Sequence, residues 1–478
     1  FSIIMKRRNE IYAFSDKIKS FPMLYYKDNF KFLLFENFQL IKNCKLDLTI
    51  DKKQILYFSM SGYTISNNTI YKYIKPIKQG TFIHFVKNTV KEYEYFSFNK
   101  KSVKKVSNIK EKLKKINENI ILKLIDSCQD KEIVIPLSAG YDSRFILSGL
   151  KKYGYKNIST FSYGRKNNRE EKIAKELTNF LKIPWVFIPY TNKKIKKIKN
   201  SKQHQRYESY ADNLTSIHFP QDFTAIKYLH DNNLISKNSV IVNGQSGDFI
   251  SGNHLPDIKY TKKNLTKDLI YFYIFKHLNL WNKYYLKNKK KIYRQILSIT
   301  NKKKFKYEKE SQFKIFENLE FENRQCKYVI NGQRLYEFFN YEWRLPLWDS
   351  EYLNFWSSIP LELKLNQKLY KETLHETDWC GVWNNIPINP KNSFTLEIML
   401  LRYIFKAFFI FQGKERWHLF EKKFLSYFMQ ALCGFAHLNY FKVIKDDRVF
   451  RNSLSWETDK YLKEKKINWE EIIIEYTL

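Results

Sequence analysis

The stretch from Glu132 to Gly154 constrains the fold most. A compact apolar run, Glu132–Leu137 with Ile133, Val134 and Ile135 inside it, passes directly into Ser138-Ala-Gly-Tyr-Asp-Ser143. Apolar residues then recur at helical spacing, Phe145, Ile146 and Leu150, up to Gly154. Strand, tight loop and helix in that order make the first half of an α/β unit. The alternation continues, with strands expected at Ile158–Tyr163, Trp185–Pro189 and Ser239–Asn243 and helices at Glu170–Leu181 and Phe223–His230. Such alternation predicts a parallel sheet covered on both faces.

The flanks read differently. Short apolar or alternating runs at Lys31–Phe35, Gln54–Met60, Thr81–Val86 and Lys91–Phe98 are separated by turn residues at Lys27-Asp28-Asn29, Ser66-Asn67-Asn68 and Gln79-Gly80. They predict packed antiparallel sheets. A Lys-, Ser- and Asn-rich connection, Asn99–Asn108, precedes a helical stripe at Ile109, Leu113, Ile116, Ile120 and Leu124 and sets a boundary near residue 100. From about residue 263 onward the pattern is helical, with broad aromatic faces. The expected organisation is a β-rich segment over 1–100, a parallel α/β domain over 101–390 and a helical extension over 391–478.

Composition narrows the classes of function. The 84 Lys and Arg against 48 Asp and Glu give a formal net charge of +36, a balance that often marks nucleic-acid binders. The excess is mostly Lys and accompanies abundant Asn, Ile, Tyr and Phe, the residues that an AT-rich coding sequence over-supplies. With neither zinc-finger spacing nor an RNA-recognition signature, nucleic acid is not an expected partner. A peripheral contact with acidic lipid or acidic glycan stays open. The cysteines, Cys44, Cys128, Cys326, Cys380 and Cys433, lie far apart, so neither a disulfide framework nor a zinc ribbon is indicated and a reducing cytoplasm is the expected compartment. The most apolar windows, Leu269–Trp281 and Leu400–Phe411, are interrupted by Lys276, Arg402 and Lys406, which argues against a spanning helix.

Two loops carry chemistry. In the first, Ser138, Ala139 and Gly140 permit a tight turn with converging N–H groups, Ser143 adds a hydroxyl, and the helix starting near Asp142 turns its positive end to the same point. A phosphate or pyrophosphate fits such a loop, although no Gly-Lys-Ser or Gly-Lys-Thr closes it as in a Walker loop. A carboxylate there would repel phosphate by itself, so Asp142 is read as a ligand of a bridging Mg²⁺, the bland alternative being a helix N-cap. The second loop, Asn243-Gly-Gln-Ser-Gly-Asp-Phe-Ile-Ser-Gly252, follows the apolar Val240–Val242 and carries Asp248. Loops after parallel strands gather at one sheet edge, so Asp142 and Asp248 are candidates to hold one metal, against the alternative of a Gly-rich surface turn.

These motifs resemble the asparagine synthetase family, whose synthetase domain is an ATP pyrophosphatase. Ser138-Ala-Gly-Tyr-Asp-Ser143 is similar to the family's Ser-Gly-Gly-x-Asp-Ser, and Gly244-Gln-Ser-Gly-Asp-Phe-Ile-Ser-Gly-Asn253 to its Gly-Glu-Gly-x-Asp-Glu-x-x-Gly-Gly. Phe161-Ser-Tyr-Gly164 with Glu170 and Glu171 resembles the second strand and the acidic start of the next helix. Arg344-Leu-Pro-Leu-Trp-Asp349, Ile359-Pro360 and Lys368 resemble the Arg-x-Pro-Phe-Leu-Asp segment and the Lys region beyond it. Upstream, Ser15–Tyr26 and Ile74–Gly80 look like later strands of the family's amino-terminal glutaminase domain, so that the likeness spans roughly residues 10 to 390.

The resemblance implies a fold and a reaction. The fold is a parallel-sheet ATP-pyrophosphatase domain with a helical extension, preceded by a partial, inactive glutaminase-like β domain. The reaction activates a carboxylate with ATP as an acyl-adenylate, releases pyrophosphate and lets ammonia attack. Leu137, Ser138, Ala139, Gly140, Asp142, Ser143, Tyr163 and Ser246 would face ATP or its pyrophosphate, Asp142 and Asp248 would hold Mg²⁺, and Lys368, with Lys371 as its rival, would meet the developing phosphate charge. Two positions depart from the pattern. Gln245 stands where the family has a glutamate thought to act on the attacking ammonium. Phe1 stands where the glutaminase domain needs a nucleophilic Cys, so glutamine hydrolysis is not expected of this chain, an upstream segment being left open. The acceptor expected is aspartate or a sugar carboxylate such as a uronic acid in surface-polysaccharide assembly, with ammonia or glutamine as nitrogen source. The competing readings are attack by a different amine and a non-catalytic nucleotide-binding homologue.

Overall fold

The computed structural model describes residues 1–98, 108–258, 264–302, 312–388 and 396–477. The connection expected at Asn99–Asn108 falls almost wholly outside them, as do the two expected boundaries, near residues 100 and 390.

Strands β8 (Ile133–Pro136), β9 (Ile158–Gly164), β10 (Trp185–Pro189), β11 (Val240–Val242) and β12 (Glu342–Arg344) form a parallel sheet in the order β10-β9-β8-β11-β12. Its central strand pairs Ile133 with Ile158 on one side and with Val240 on the other. Alternate side chains leave opposite faces. Ile133, Ile135, Val240 and Val242 join a core with α2 (Ile109–Cys128), α3 (Asp142–Lys152) and α4 (Arg169–Leu181). Val134, Phe161 and Ile241 join another with α5 (Asn192–Lys199), α6 (Lys202–Tyr210) and α7 (Phe223–Asp231). A strand buried on both faces reads as a continuous apolar run, which is why β8 was legible. The sequence from β8 runs outward through β9 and β10 and then returns to β8's other side at β11. The order therefore reverses between β8 and β11, and in open parallel sheets ligands bind beyond the carboxyl ends of the strands at such a point.

The amino-terminal region holds two antiparallel sheets. One has the order β1-β2-β6-β7, from Ser2–Arg7, Glu10–Ser15, Thr81–Val86 and Thr89–Glu94; the other has the order β4-β3-β5, from Phe32–Phe35, Leu24–Lys27 and Ile74–Pro76. They meet through Ala13, Met23, Ile77 and Ile83, and Phe32 stacks on Phe85 at 3.9 Å.

Two expectations need correction. Gln54–Met60 is not a strand but most of α1 (Lys52–Ser61). Every residue of that run is buried, so no periodicity distinguishes helix from strand; the flanks do. The Asp51 carboxylate accepts the Lys53 and Gln54 N–H groups at 3.1 and 3.2 Å, and Gly62 ends the helix at φ +83°. The second correction is β12, three residues inside a region read as helical throughout. Glu342-Trp-Arg344 is too short and too charged to announce a strand, yet it pairs with β11 and closes the sheet edge. The helices Ser453–Glu464 and Trp469–Thr477 return to pack on α1, sharing a core with Leu269, Trp281 and Phe316.

Asp51→Ala should lower the thermal midpoint, since losing an N-cap costs about 1 kcal/mol. An unchanged melting curve would show that burial alone holds α1 helical.

Candidate active site

The first loop is closed by its own hydroxyls. The Ser138 N–H donates to Ser143 Oγ at 3.0 Å, the Ser138 and Ser143 hydroxyls lie 3.1 Å apart, and the Gly140 N–H donates to Ser138 Oγ at 3.2 Å. The Ala139 N–H turns outward and donates to the carboxylate of Glu170, in the first turn of α4. That helix starts where it does because the Asn168 side chain accepts the Glu171 N–H at 2.9 Å. An N–H of this loop thus already serves an anionic oxygen. Behind it, the fully buried Arg144 donates to the carbonyls of Val382, Ile386 and Pro387 at 3.1, 2.7 and 2.7 Å, while Tyr141 stacks on Trp383. These contacts tie the start of α3 to residues 382–387.

The second loop presses against the first, backbone to backbone. A Cβ on Gly244 would stand 3.0 Å from the Asp142 carbonyl carbon and the Ser143 nitrogen, and one on Gly247 would stand 2.5 Å from the Asp142 carboxyl carbon. A side chain at either position would force its neighbours to shift. The contact ends in a hydrogen bond of 2.9 Å from the Asp248 N–H, in α8 (Gly247–Ser251), to Asp142 Oδ2, while Tyr370 donates to Oδ1 at 3.1 Å.

The two acids meet opposite surroundings. Burial raises the Asp142 carboxyl, and the nearby Asp248 charge raises it further, to about 8. Burial also works on Asp248, but the hydrogen bond and charge of His254 outweigh it and hold that carboxyl below its ordinary range. His254 Nε2 lies 2.9 Å from Asp248 Oδ2, and its Nδ1 meets the wholly buried carboxylate of Glu320. Burial would depress His254; the Glu320 charge and the Asp248 bond reverse this and raise it to about 9. His277 and Arg324 also face Glu320, at 3.3 and 3.6 Å. Glu320 opens a stretch of π-helix, Glu320–Val329, a form that often marks functional positions. Asp248 keeps 43 % of its side chain exposed. Two carboxylates brought together, one forced toward its protonated form, make an oxygen-only donor set that suits a hard cation such as Mg²⁺.

The other expected residues fall as follows. Leu137 is buried and bound through its backbone, its N–H donating to the Phe161 carbonyl at 2.8 Å. Tyr163 stacks on Tyr190 and gives its hydroxyl to the buried Asp222, away from the loop hydroxyls. Ser246, at φ +69°, donates to Gln325 at 2.7 Å. Gln245 accepts from Gln333 Nε2 at 2.7 Å. Lys368 is exposed in the first turn of the helix Lys368–Thr377. Lys371, one turn on, donates to the Asn366 carbonyl at 2.8 Å and stands 5.6 Å from the Tyr141 ring centroid, so of the two lysines it is the one in contact with the first loop.

Sequence reasoning missed Tyr370, His254 and Glu320. Tyr370 stands two residues beyond Lys368 and His254 two residues beyond Gly252, so each could have been flagged by proximity; nothing in the sequence marks Glu320. Among the described residues one trio has metal-ligand spacing, His204, Glu208 and His218, but Lys460 already donates to Glu208 at 2.6 Å and supplies the positive charge there.

No curated protein matches the chain. The family model described as asparagine synthase matches residues 127–377, which is more than half of the chain and takes in both loops, the whole parallel sheet and the helix that carries Tyr370. The chain belongs to the asparagine synthase family.

Proposed function

We propose that this chain is an ATP-dependent, amide-forming carboxylate ligase acting where the loops after β8 and β11 meet. The observation that carries the reading is the junction of Asp142 and Asp248 beside a loop whose Ala139 N–H already binds a carboxylate. In this reading the β- and γ-phosphates of ATP take the N–H and hydroxyl donors of Ser138–Ser143. An acceptor carboxylate oxygen attacks the α-phosphorus, and the bond to the β-phosphate oxygen breaks. Ammonia then attacks the acyl carbon, AMP leaves with the former carboxylate oxygen, and the new nitrogen sheds its extra protons. Held by Asp142 and Asp248, Mg²⁺ would neutralise charge on the departing pyrophosphate. Lys371, with Lys368 on the same helix face, adds positive charge at the rim of the loop. The acceptor is a small or sugar-borne carboxylate, aspartate and uronic acids being the two classes to test.

Gln245 shapes the nitrogen chemistry. Its amide cannot take a proton near neutral pH, so the reaction draws on ammonia that is already unprotonated. A specific observation favours one competitor: the Gln245 amide is engaged by Gln333, as a retired catalytic position would be. ATP binding without pyrophosphate release for any acceptor would select that non-catalytic reading.

Pyrophosphate release from Mg-ATP, with ammonium and a panel of carboxylates, should depend on one acceptor. Asp142→Asn keeps the oxygen facing Asp248 and should lower that release about a hundredfold or more; wild-type release would remove Asp142 from the site. Gln245→Glu should raise the rate at neutral pH about a hundredfold by restoring a proton acceptor, and an unchanged rate would show that another group fills the role.

Stability should carry the signature of Asp142. Its folded pKa, about 8, lies above its ordinary 3.8, so between those values the folded chain binds more protons than the unfolded one and stability falls as pH rises. Without divalent ions the melting temperature should drop across this window, and Mg²⁺ or Asp142→Asn should flatten the slope. A Mg²⁺-independent slope would show that the acids hold no cation.

A further inference from the structure

The helix Leu396–Phe408 and the turn after it present two faces of different fate. Phe405 and Phe409 point inward and pack on Trp417 and Phe420, with ring centroids 4.9 to 5.7 Å apart. A neighbouring stripe is apolar too, and it faces solvent: Leu400, Ile404 and Phe408, four residues apart, are 56 %, 57 % and 68 % exposed, and Phe411 beyond them is 98 % exposed. Side chains at this spacing lie on one line along a helix. A row of large apolar residues open to water marks a surface built to meet something apolar. The exposed charges nearby are basic. Lys406, on the other side of the helix from Ile404 and Phe408, and Lys414, Arg416 and Lys423 in the segment that follows are exposed, and among the described side chains from 399 to 428 the acid, Glu421, is paired with Arg402 at 2.6 Å.

We infer that this face lies on an anionic lipid surface. A helix with an apolar stripe on one side and Lys or Arg on its other side and beyond its end lies at the boundary between headgroups and acyl chains, the stripe losing water while the cations reach toward lipid phosphates. Charge decides between lipid and a second copy of the chain. Self-association across this face would bring together two basic segments on two chains of formal charge +36, whereas an anionic bilayer complements both the segment and the whole chain. No described helix is long and apolar enough to cross a membrane, so the contact is one of lying on the surface. The inference stands apart from the ligase reading and would place whatever reaction the chain performs beside lipid-linked substrates.

Co-sedimentation of the full chain with phosphatidylcholine vesicles, with and without phosphatidylglycerol, tests it. The chain should partition onto the anionic vesicles, and Ile404→Ser with Phe408→Ser should weaken that partition about tenfold or more at unchanged net charge. Both positions are exposed, so the variant should keep the wild-type melting temperature. Undiminished partition of the variant would reduce the effect to bulk charge and overturn the inference, as would failure of the wild type to bind anionic vesicles. A dimer in solution that the same variant dissociates would assign the face to a second copy instead.

Discussion

The site depends on one close contact: across Gly244 and Gly247 the second loop lies so near the first that the Asp248 N–H reaches the Asp142 carboxylate. The parallel sheet sets this up by placing β8 and β11 side by side, so that their loops leave from the same edge at the point where strand order reverses. Gly244 and Gly247 then close the remaining gap. A Cβ at Gly244 would crowd the backbone of the first loop, and one at Gly247 would crowd the Asp142 carboxyl and the Leu347 side chain. The catalytic proposal thus rests on backbone proximity first and on side-chain chemistry second.

That proximity creates an electrostatic problem, and the surrounding charges answer it asymmetrically. Two carboxylates in one half-buried site cannot both ionise freely. His254, held between Asp248 and the buried Glu320, keeps Asp248 charged, while Asp142, which accepts from the Tyr370 hydroxyl and a backbone N–H, is driven toward its protonated form by burial and by the Asp248 charge. Burying Glu320 costs several kcal/mol by itself, and the charges of His254 and Arg324 beside it offset that cost. A network this heavily charged pushes the two acids toward different protonation states.

Much of this was legible in the sequence, and the reason differs from element to element. Strands such as β8 are buried on both faces and framed by turn residues, so apolar run and punctuation agree. The two loops were legible because tight turns demand small residues at fixed spacing, and parallel strands bring such loops to one sheet edge, where the Asp248 N–H meets Asp142. Gln54–Met60 misled because a helix buried all round shows no period, although Asp51 and Gly62 stood at its ends as caps. Glu342–Arg344 was invisible because its strand character comes from its partner β11 and not from its own residues. Glu320 and Tyr370 lie about 70 and 120 residues beyond the second loop, and only the packing of distant helices brings them to it.

Gln245 illustrates the limit of geometry as a guide to chemistry. Glutamate and glutamine share a shape, so the loop folds the same way around either, with its backbone N–H on the Asn243 side chain at 2.9 Å and its side chain on Gln333. Below it, Asn243 leans on Tyr336 at 3.0 Å, and Tyr336 on Asp222 at 2.8 Å. This chain of bonds fixes the position of the Gln245 amide without supplying a proton acceptor there, since Asp222 is buried, its carboxyl raised by that burial, and its oxygens already take the hydroxyls of Tyr163 and Tyr336. The scaffold therefore holds a neutral group at this point of the loop. In the proposed ligase reaction, a nitrogen in place of an oxygen here would leave the loop's contacts unaltered while changing which protonation state of the nitrogen nucleophile the site can use.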